Sequence, residues 1–391
     1  MAKRLHSILL VSNGSGEDRI GAECARVWRR LDPRIQIQAL PLVGSGLFYQ
    51  QAGVPLLKAG FEPPSQGFAY LKPALLVKDL QAGLLPHLRE SLTLARRHPC
   101  DHILAIGDIV PMLVAAYAQK PFAFVGCALS DYYLGENSRR STYDPLQIQI
   151  LKHQQALCFA RDTLTSANLK RRGVRAQFVG SLMLDCFDHW TESELPDPLL
   201  SSSERYRMLI LPGSHADAVA NFKFILQQLQ DALSMPIDWW VLKAPQLALT
   251  DLHAVMRDWQ SNGSCWQFQN SRLGFVDSCH FKACLEQVDA VLGFAGTANE
   301  QAVAMGLPVI SFAIPGAQQY TWAFGEAQQR LLGAGLSFLG DAHPRLLAYQ
   351  LQRVLFNPEY RQAAEAIAQQ RFGESGGIER MIRLICAAVA D

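Results

Sequence analysis

A glycine-containing turn between two apolar runs is the part of this sequence whose residue types most directly indicate chemistry. It lies within residues 293–310, Gly-Phe-Ala-Gly-Thr-Ala-Asn-Glu-Gln-Ala-Val-Ala-Met-Gly-Leu-Pro-Val-Ile. Gly293 and Gly296 allow the backbone to approach a ligand closely. Thr297, with Glu300 three residues later, predicts a helix that starts with a capping box. The amides of such a helix start suit a diphosphate, and Glu300 could accept hydrogen bonds from ribose hydroxyls. The pattern predicts a nucleotide-sugar donor site, although an ordinary strand-to-helix turn with Glu300 as a cap has the same pattern.

Other polar or glycine-containing loops also follow apolar, strand-like runs. They occupy residues 12–18, 107–108, 130–133, 212–215 and 315–320. In open parallel sheets, ligands bind at the carboxyl ends of the strands. Loops of this kind in both halves of the chain therefore predict two sheets with a cleft between the domains.

Strand-like and helical runs alternate along most of the chain, which is typical of α/β proteins with parallel sheets. Residues 191–206 are polar, contain proline and serine, and predict a linker. We expect a first domain over residues 1–190 and a second over residues 207–372. Residues 373–391 predict a C-terminal helix that packs back on the first domain.

Composition excludes several function classes. The 391 residues are 49% hydrophobic and 18% charged, with a formal net charge of +1, so no overall field favours a nucleic-acid partner. The basic clusters Arg139-Arg140 and Lys170-Arg171-Arg172 are interpreted as solvated surface. Nine scattered cysteines without a Cys-x-x-Cys motif indicate neither a disulfide framework nor a zinc site, and favour a reducing, cytoplasmic location.

Motif searches exclude several cofactors. Gly14 and Gly16 begin a dinucleotide-binding pattern, but the position of its third glycine is Arg19. The sequence contains no phosphate-binding P-loop, no H-E-x-x-H and no D-x-D. We therefore expect no cofactor and no catalytic metal.

The order and spacing of the loops resemble the GT-B glycosyltransferases, specifically the lipid-A-disaccharide synthases and their related branch. Residues 13–18 (Asn-Gly-Ser-Gly-Glu-Asp) resemble N-G-H-G-E-D, and residues 211–214 are similar to L-P-G-S. Residues 179–185 resemble V-G-H-P-L-x-D, and residues 296–308 resemble S-G-T-x-x-x-E followed by G-x-P. The chain departs from the family at Ser15, where the branch has histidine, and at His215, where the family has arginine. It also keeps only Asp108 where the synthases carry two acids.

The resemblance implies an α/β fold of the GT-B type, with two Rossmann-like doubly wound parallel-sheet domains, an interdomain cleft and a helical C-terminus. It implies inverting, metal-independent transfer of a sugar from a nucleotide-sugar, with a UDP-sugar as the expected donor, to a lipid or other hydroxyl acceptor. Asp108 is the first candidate for the general base, with capping of the next helix as its alternative role. Asp131 is the second candidate.

The remaining candidates fall into two groups. The donor-binding group is Gly213, Ser214, His215, Gly296, Thr297, Glu300, Gln318 and Gln319, and the acceptor-side group is Asn13, Gly14, Ser15, Gly16, Glu17, Asp18, Tyr132 and Tyr133. Residues 68–88, apolar with interspersed lysines, predict either a membrane-surface element or an ordinary core helix. The first reading would place the protein on the cytoplasmic membrane face. Two other functions fit the same residues: a GT-B-like sugar-nucleotide epimerase or hydrolase, and a catalytically silent nucleotide-binding relative.

Overall fold

The computed structural model describes residues 4–62, 83–187, 205–213, 217–244, 247–256, 258–261 and 265–390. By packing, the chain divides into two compact units. Unit 1 comprises Met1–Cys186 and Glu374–Asp391, and unit 2 comprises Phe187–Gly373. Most of the predicted linker, together with Ser214, His215 and residues 68–82 of the predicted membrane-surface element, lies outside the described residues.

The described residues of unit 1 form six strands. They are β1 (Ser7–Ser12), β2 (Gln36–Pro41), β3 (His102–Gly107), β4 (Phe122–Gly126), β5 (Leu157–Ala160) and β6 (Arg175–Gln177). All pair in parallel in the order β2-β1-β3-β4-β5-β6. Its helices are α1 (Ser15–Leu31), α2 (Leu47–Gln51), α3 (Leu84–Arg97), α4 (Ile109–Tyr117), α5 (Pro145–His153), α6 (Thr163–Arg171) and α7 (Leu182–Asp185).

The central strands of unit 1 are almost continuous apolar runs because helices cover both faces of the sheet. Every residue of β3, with the sequence His-Ile-Leu-Ala-Ile-Gly, is buried. Two core clusters contain the two faces: Leu10 and Ile106 belong to one, and Leu9 and Ile103 to the other. This packing holds the carboxyl ends of β1, β3 and β4 side by side.

Eight strands lie in the part of unit 2 that the structure describes. They are β7 (Tyr206–Leu211), β8 (Ile237–Lys243), β9 (Gln260–Ser261), β10 (Trp266–Phe268), β11 (Ser271–Asp277), β12 (Ala290–Gly293), β13 (Val309–Ala313) and β14 (Leu336–Asp341). Their order is β14-β13-β12-β7-β8-β11-β10-β9. The helices of four or more residues are α8 (Ala218–Gln228), α9 (Leu249–His253), α10 (Phe281–Leu285), α11 (Gly296–Ala304), α12 (Trp322–Leu332), α13 (Pro344–Phe356) and α14 (Pro358–Ile367), and a π-helical turn follows at Ala368–Phe372.

The prediction of two parallel α/β sheets is confirmed, with one local difference in unit 2. Among the strand pairs of the described residues, only β9–β10 and β10–β11 are antiparallel, at one edge of the sheet. Helix α12 begins at Trp322 and is capped by Thr321, so the donor candidates Gln318 and Gln319 lie in the loop after β13. Within the described ranges, no helix combines the length and the apolar character that crossing a membrane requires.

The last helix, α15 (Gly377–Ala390), belongs to unit 1. Ile378, Met381, Ile382 and Ile385 are buried in the same core cluster as the residues of β1 and α1. The carboxylate of Asp185 accepts hydrogen bonds from the amides of residues 376 and 378 at 2.5 and 2.6 Å, which ties the start of α15 to α7.

Candidate functional site

The donor-side glycines lie at the ends of two adjacent strands of unit 2. Gly293, the last residue of β12, pairs with Leu211, the last residue of β7, and the amide of Phe294 donates to the carbonyl of Leu211 at 2.9 Å. Gly213 has a φ of +100°, a conformation that favours glycine, and a Cβ there would lie 3.5 Å from the carbonyl oxygen of Phe294. The chain therefore turns tightly at both strand ends.

Helix α11 begins beside these turns, but not with the predicted cap. Its N-cap is Ala295, in extended backbone conformation, and no side chain caps the helix start. Thr297 lies inside the first turn and is exposed, so the capping box predicted from Thr297 and Glu300 is wrong. Since alanine carries no acceptor, the first amides of α11 receive no hydrogen bond from the N-cap side chain, and a helix N-terminus of this kind suits an anion.

Gly296 lies in a closely packed position at the same helix start. A Cβ at this position would lie 3.2 Å from Nε2 of Gln319 and 3.3 Å from the ring of Phe324. The fold thus brings together Gly296 and Gln319, which are two of the predicted donor residues. Glu300 is half-buried one turn further along α11.

A buried polar network behind α11 was missed by the sequence analysis. The side-chain amide of Asn299 donates to Gly293 O, the Tyr320 hydroxyl and Gln328 Oε1 at 3.1–3.2 Å. Gln328 Nε2 in turn donates to Gly296 O at 3.1 Å. Burial raises the pKa of Tyr320, so its phenol stays neutral. These bonds fix the β12–α11 turn. The only sequence signal for them is Gly293, whose missing Cβ makes room for Asn299.

The other donor-side candidates are dispersed. Gln318 is exposed, and its amide donates to Asp217 Oδ2 at 2.7 Å, which ties the loop after β13 to the start of α8. Ser214 and His215 lie outside the described residues. The described donor-side residues that converge are therefore Gly213, Gly296, Gln319 and the first turn of α11.

In unit 1, Asp108 lies at the carboxyl end of β3 and has the capping role weighed in the sequence analysis. Its Oδ1 accepts from the amide of Val110 at 2.8 Å, as the N-cap of α4, and from Asn13 Nδ2 at 2.8 Å. Both bonds use the same oxygen, and within the described chain Oδ2 accepts none. Capping and proton transfer are thus compatible at this residue.

Glu17 is the second carboxylate of this cluster. Burial raises the pKa of Glu17, and the nearby charge of Asp108 raises it further. The Cys127 thiol, after β4, donates weakly to Glu17 Oε1 at 3.8 Å. A Cβ on Gly14 would lie 2.5 Å from Glu17 Oε2, so glycine at that position makes room for the carboxylate. Asn13, Gly14, Glu17 and Asp108 therefore form one group, whereas Ser15 and Gly16 are exposed at the start of α1.

Asp18 points into the core instead. Ser12 Oγ donates to Asp18 Oδ1 at 2.6 Å and lies 2.8 Å from the Tyr49 hydroxyl. Burial raises the pKa of Asp18 to about 7, although the bond from Ser12 opposes the shift. Asp18 is only 2% exposed, which argues against the predicted direct contact with an acceptor.

The second candidate base, Asp131, is a buried carboxylate that binds neighbouring segments of the fold together. It is fully buried, and its Oδ1 accepts from the amide and hydroxyl of Thr142 at 2.7 and 2.9 Å. Its Oδ2 accepts from Asn168 Nδ2 at 2.9 Å. Both oxygens are occupied, so the geometry argues against proton transfer here. Tyr132 is buried too, with its hydroxyl 3.2 Å from Thr163 Oγ1, and only Tyr133 is partly accessible.

Across the described ranges, no group of three or more His, Cys, Asp or Glu side chains is arranged to hold a metal ion. The carboxylates of Asp108 and Asp131 instead accept the hydrogen bonds given above. Two features are therefore described, each within its own unit: an open helix start in unit 2 and a carboxylate pair in unit 1.

Comparison with solved structures identifies the fold. The calicheamicin glycosyltransferase CalG4 is 15% identical, with a TM-score of 0.62 over 99% of this chain and 98% of that one. The glycosyltransferase SnogD from Streptomyces nogalater is 16% identical, with a TM-score of 0.59 over 100% of both chains. UDP-GlcNAc 2-epimerase from Neisseria meningitidis, solved with UDP-GlcNAc, is 13% identical, with a TM-score of 0.60 over 97% of this chain and 99% of that one.

The predicted GT-B fold is confirmed by these similarities, which at such identities concern the fold alone. The sequence matches no protein-family model, and no curated protein is significantly similar to it in sequence. Both glycosyltransferases and epimerases share the architecture, so the reaction has to be argued from the site.

Proposed function

We propose that this protein is a metal-independent enzyme acting on a nucleotide-sugar, with glycosyl transfer from a UDP-sugar to a hydroxyl acceptor as its reaction. The observation that carries the proposal is the start of α11. Ala295 leaves the first amides of this helix without a side-chain cap, beside the tight strand-end turns at Gly213 and Gly296. The phosphates of a nucleoside diphosphate are anions that such amides suit.

The proposed donor site uses the residues around that helix start. The amides of α11 and the turn at Gly213 would hold the diphosphate, and Glu300 would accept hydrogen bonds from the ribose. Gln319, beside Gly296, is the candidate for sugar contact. The Asn299–Gln328 network supports the proposal because it holds the turn rigid before the ligand arrives, which lowers the entropic cost of binding.

In the transfer step, the acceptor oxygen would form a bond to the anomeric carbon as the bond to the diphosphate breaks. The acceptor proton would pass to Asp108 Oδ2, and the nucleoside diphosphate would leave with the bonding electron pair. Asn13 and the Val110 amide, both bonded to Oδ1, orient the carboxylate for this role. A lipid acceptor, as in the lipid-A-disaccharide synthases that the sequence resembles, is part of the proposal.

One observation favours a second reaction, epimerisation or hydrolysis of the sugar nucleotide. Asp108 and Glu17 interact electrostatically, and the pKa of Glu17 is raised by burial and by Asp108. Two neighbouring carboxyl groups can divide the roles of base and acid, so that one removes a proton and the other returns one. Epimerisation needs both functions, whereas transfer needs only a base. The similarity in fold to UDP-GlcNAc 2-epimerases is consistent with this alternative.

The binding proposal is tested by a thermal-shift panel of UDP, UDP-GlcNAc, UDP-glucose, UDP-galactose, GDP-sugars and ADP-sugars, with uridine as the control that lacks phosphate. We expect a rise in Tm with at least one nucleotide-sugar and none with uridine, because binding to the folded state stabilises it. Absence of any shift at millimolar ligand would contradict the proposal, whereas a shift without turnover in the next assay would favour the silent nucleotide-binding relative.

The reaction is then tested with the nucleotide-sugar that binds, in D2O and followed by NMR. Release of the nucleoside diphosphate only with an added acceptor would identify a transferase. Release without acceptor would identify a hydrolase, and deuterium incorporation into the sugar of intact nucleotide-sugar would identify an epimerase. Asp108→Asn serves as the control in each arm, since the proposal requires this carboxylate for turnover.

A further inference from the structure

The basic clusters of unit 1, which are distant in sequence, lie on one surface. Arg172 Nη2 donates to the carbonyl of Arg139 at 2.8 Å, although the two residues are 33 positions apart. Lys152, from the end of α5, lies against Gly173, where a Cβ would be 3.4 Å from the lysine Cε. The loop of Arg139-Arg140 and the end of α6 are therefore neighbours.

Buried hydrogen bonds hold this arrangement in place. The Asn168 side chain donates to the carbonyls of Ser138 and Arg140 at 3.0 and 2.9 Å, and also to Asp131. Asp131 binds the amide of Thr142 at the far end of the same loop. The loop is thus fixed to α6 by buried groups, while its arginine side chains are exposed.

The resulting cluster, called the basic surface here, carries a strong local charge. Its members are Arg139, Arg140, Lys152, Lys170, Arg171, Arg172 and Arg175. Within the described part of the chain, none of the seven forms an ion pair with a carboxylate. Residues 131–175 hold eight Lys and Arg against four Asp and Glu, whereas the whole chain has a net charge of only +1. Of the four acids, Glu136 and Asp144 are exposed.

Two exposed leucines flank the basic loop. Leu134 ends the 3-10 turn before it and is 46% exposed, and Leu146 lies in the first turn of α5 after it and is 55% exposed. Lipid membranes with anionic headgroups attract clustered Lys and Arg and accept apolar side chains at the interface. A polynucleotide would satisfy the cations but would leave both leucines in water.

We propose that the basic surface binds the anionic headgroups of a lipid membrane, with Leu134 and Leu146 inserted at the interface. This inference goes beyond the proposed enzymatic function and uses none of its residues. It also concerns a different segment from residues 68–88, whose apolar sequence with interspersed lysines predicts either a membrane-surface element or a core helix.

The test is flotation of the purified full chain with phosphatidylcholine vesicles and with vesicles rich in phosphatidylglycerol. We expect binding to the anionic vesicles only, falling steeply with salt. The double variant Arg139→Gln with Arg140→Gln should bind about thirtyfold more weakly, since each basic residue near an anionic surface contributes about 1 kcal/mol. Arg96→Gln with Arg97→Gln, an adjacent exposed pair at the end of α3, is the matched control and should bind as the wild type does.

A second double variant, Leu134→Ser with Leu146→Ser, should weaken vesicle binding without changing the Tm, because both side chains are exposed. Equal flotation of wild type and the Arg139/Arg140 variant would overturn the proposal, as would no flotation at all. Binding to a single-stranded oligonucleotide in preference to vesicles would assign the surface to nucleic acid instead. Thermal shifts with nucleotide-sugars, measured on the same variants, should be unchanged, so failure here is separable from failure of the proposed function.

Discussion

At the scale of single residues, Asp108 combines a capping role with the proposed catalytic one, and two substitutions separate them. Asn is as good an N-cap as Asp, so Asp108→Asn should keep the bond from the Val110 amide and the Tm. It cannot accept the acceptor proton, and we expect kcat to fall by about 10²- to 10⁴-fold. Steady-state kinetics with the identified substrate and a thermal melt measure both.

Asp108→Ala is the companion variant. It should lose the same activity and also about 1 kcal/mol of stability, because the cap is removed. If Asp108→Asn turned over at the wild-type rate while Asp108→Ala was merely less stable, Asp108 would be a capping residue only.

Glu300 tests the donor site directly. If its carboxylate binds the ribose, Glu300→Ala should weaken UDP binding by about tenfold or more, since a hydrogen bond to a charged group contributes about 1.5–3 kcal/mol. Isothermal titration calorimetry measures the Kd. Glu326→Ala, which removes an exposed carboxylate from α12, is the control and should leave the Kd unchanged. Equal affinities for all three proteins would show that Glu300 does not contact the nucleotide.

The contribution of Asp18 to the stability of the fold should depend on pH. Its pKa is about 7 in the folded protein, compared with an ordinary value of 3.8. The folded state thus binds this proton more tightly, so the stabilisation is complete below about pH 4 and is lost as the pH rises to about 7. Asp18→Asn stays neutral throughout. The unfolding free energy of the wild type, minus that of the variant, should fall by up to about 4 kcal/mol over this range.

Urea unfolding of both proteins at several pH values measures that difference, and other carboxylates cancel because both chains share them. A difference that stays constant from pH 4 to pH 7 would mean that Asp18 is ionised in the folded core.

At the scale of elements, the missing side-chain cap at the start of α11 lowers the stability of the helix but leaves its first amides available to an anion. Ala295 has the extended conformation of an N-cap but no side-chain acceptor. Ala295→Asp should add a cap worth about 1 kcal/mol and raise the Tm. It should also weaken UDP binding, because the carboxylate occupies the amides proposed for the diphosphate and repels it. Melting and calorimetric titration measure the two effects.

Ala295→Ser is the neutral control, which should raise the Tm with a smaller loss of affinity. A UDP affinity that is unaffected by Ala295→Asp would place the diphosphate elsewhere.

The same element illustrates what could be predicted from the sequence. Glycine turns at strand ends can be predicted from neighbouring residues, so the apolar runs before Gly213 and Gly296 were enough to place both turns. The N-cap residue could not be predicted in the same way. Thr297 and Glu300 have capping-box spacing, but the helix begins two residues earlier than a cap at Thr297 would require. Asn299 reads as an exposed helical polar residue, and only its contacts with Tyr320 and Gln328 account for its burial.

Contacts between residues distant in sequence explain the other differences between the predicted and the observed environments of polar residues. Asp131 follows a strand, as a catalytic acid would, and its partners Thr142 and Asn168 come from later segments. Arg139 and Arg172 read as separate solvated clusters until α6 and the loop are packed together. Local pattern therefore predicted the elements and the α/β class, whereas the environment of each polar side chain depended on tertiary packing.

At the scale of the whole molecule, unit 1 is completed by the last segment of the chain. Helix α15 contributes buried apolar residues to the core cluster that contains β1 and α1. Because truncating a buried Ile leaves a cavity, Ile385→Ala should cost about 2–5 kcal/mol. Its neighbour Leu384 is 38% exposed, so Leu384→Ala should change stability by less than about 0.5 kcal/mol.

Hydrogen exchange followed by mass spectrometry localises the effect. In Ile385→Ala, amides of β1 and β3 should exchange faster, since the strands of unit 1 lose packing with the helix that ends the chain. Amides of β7 and β12, in unit 2, should exchange as in the wild type. Equal acceleration in both sets of strands would mean that the two units unfold as one cooperative body. An effect confined to α15 itself would mean that the helix can detach while the sheet of unit 1 stays folded.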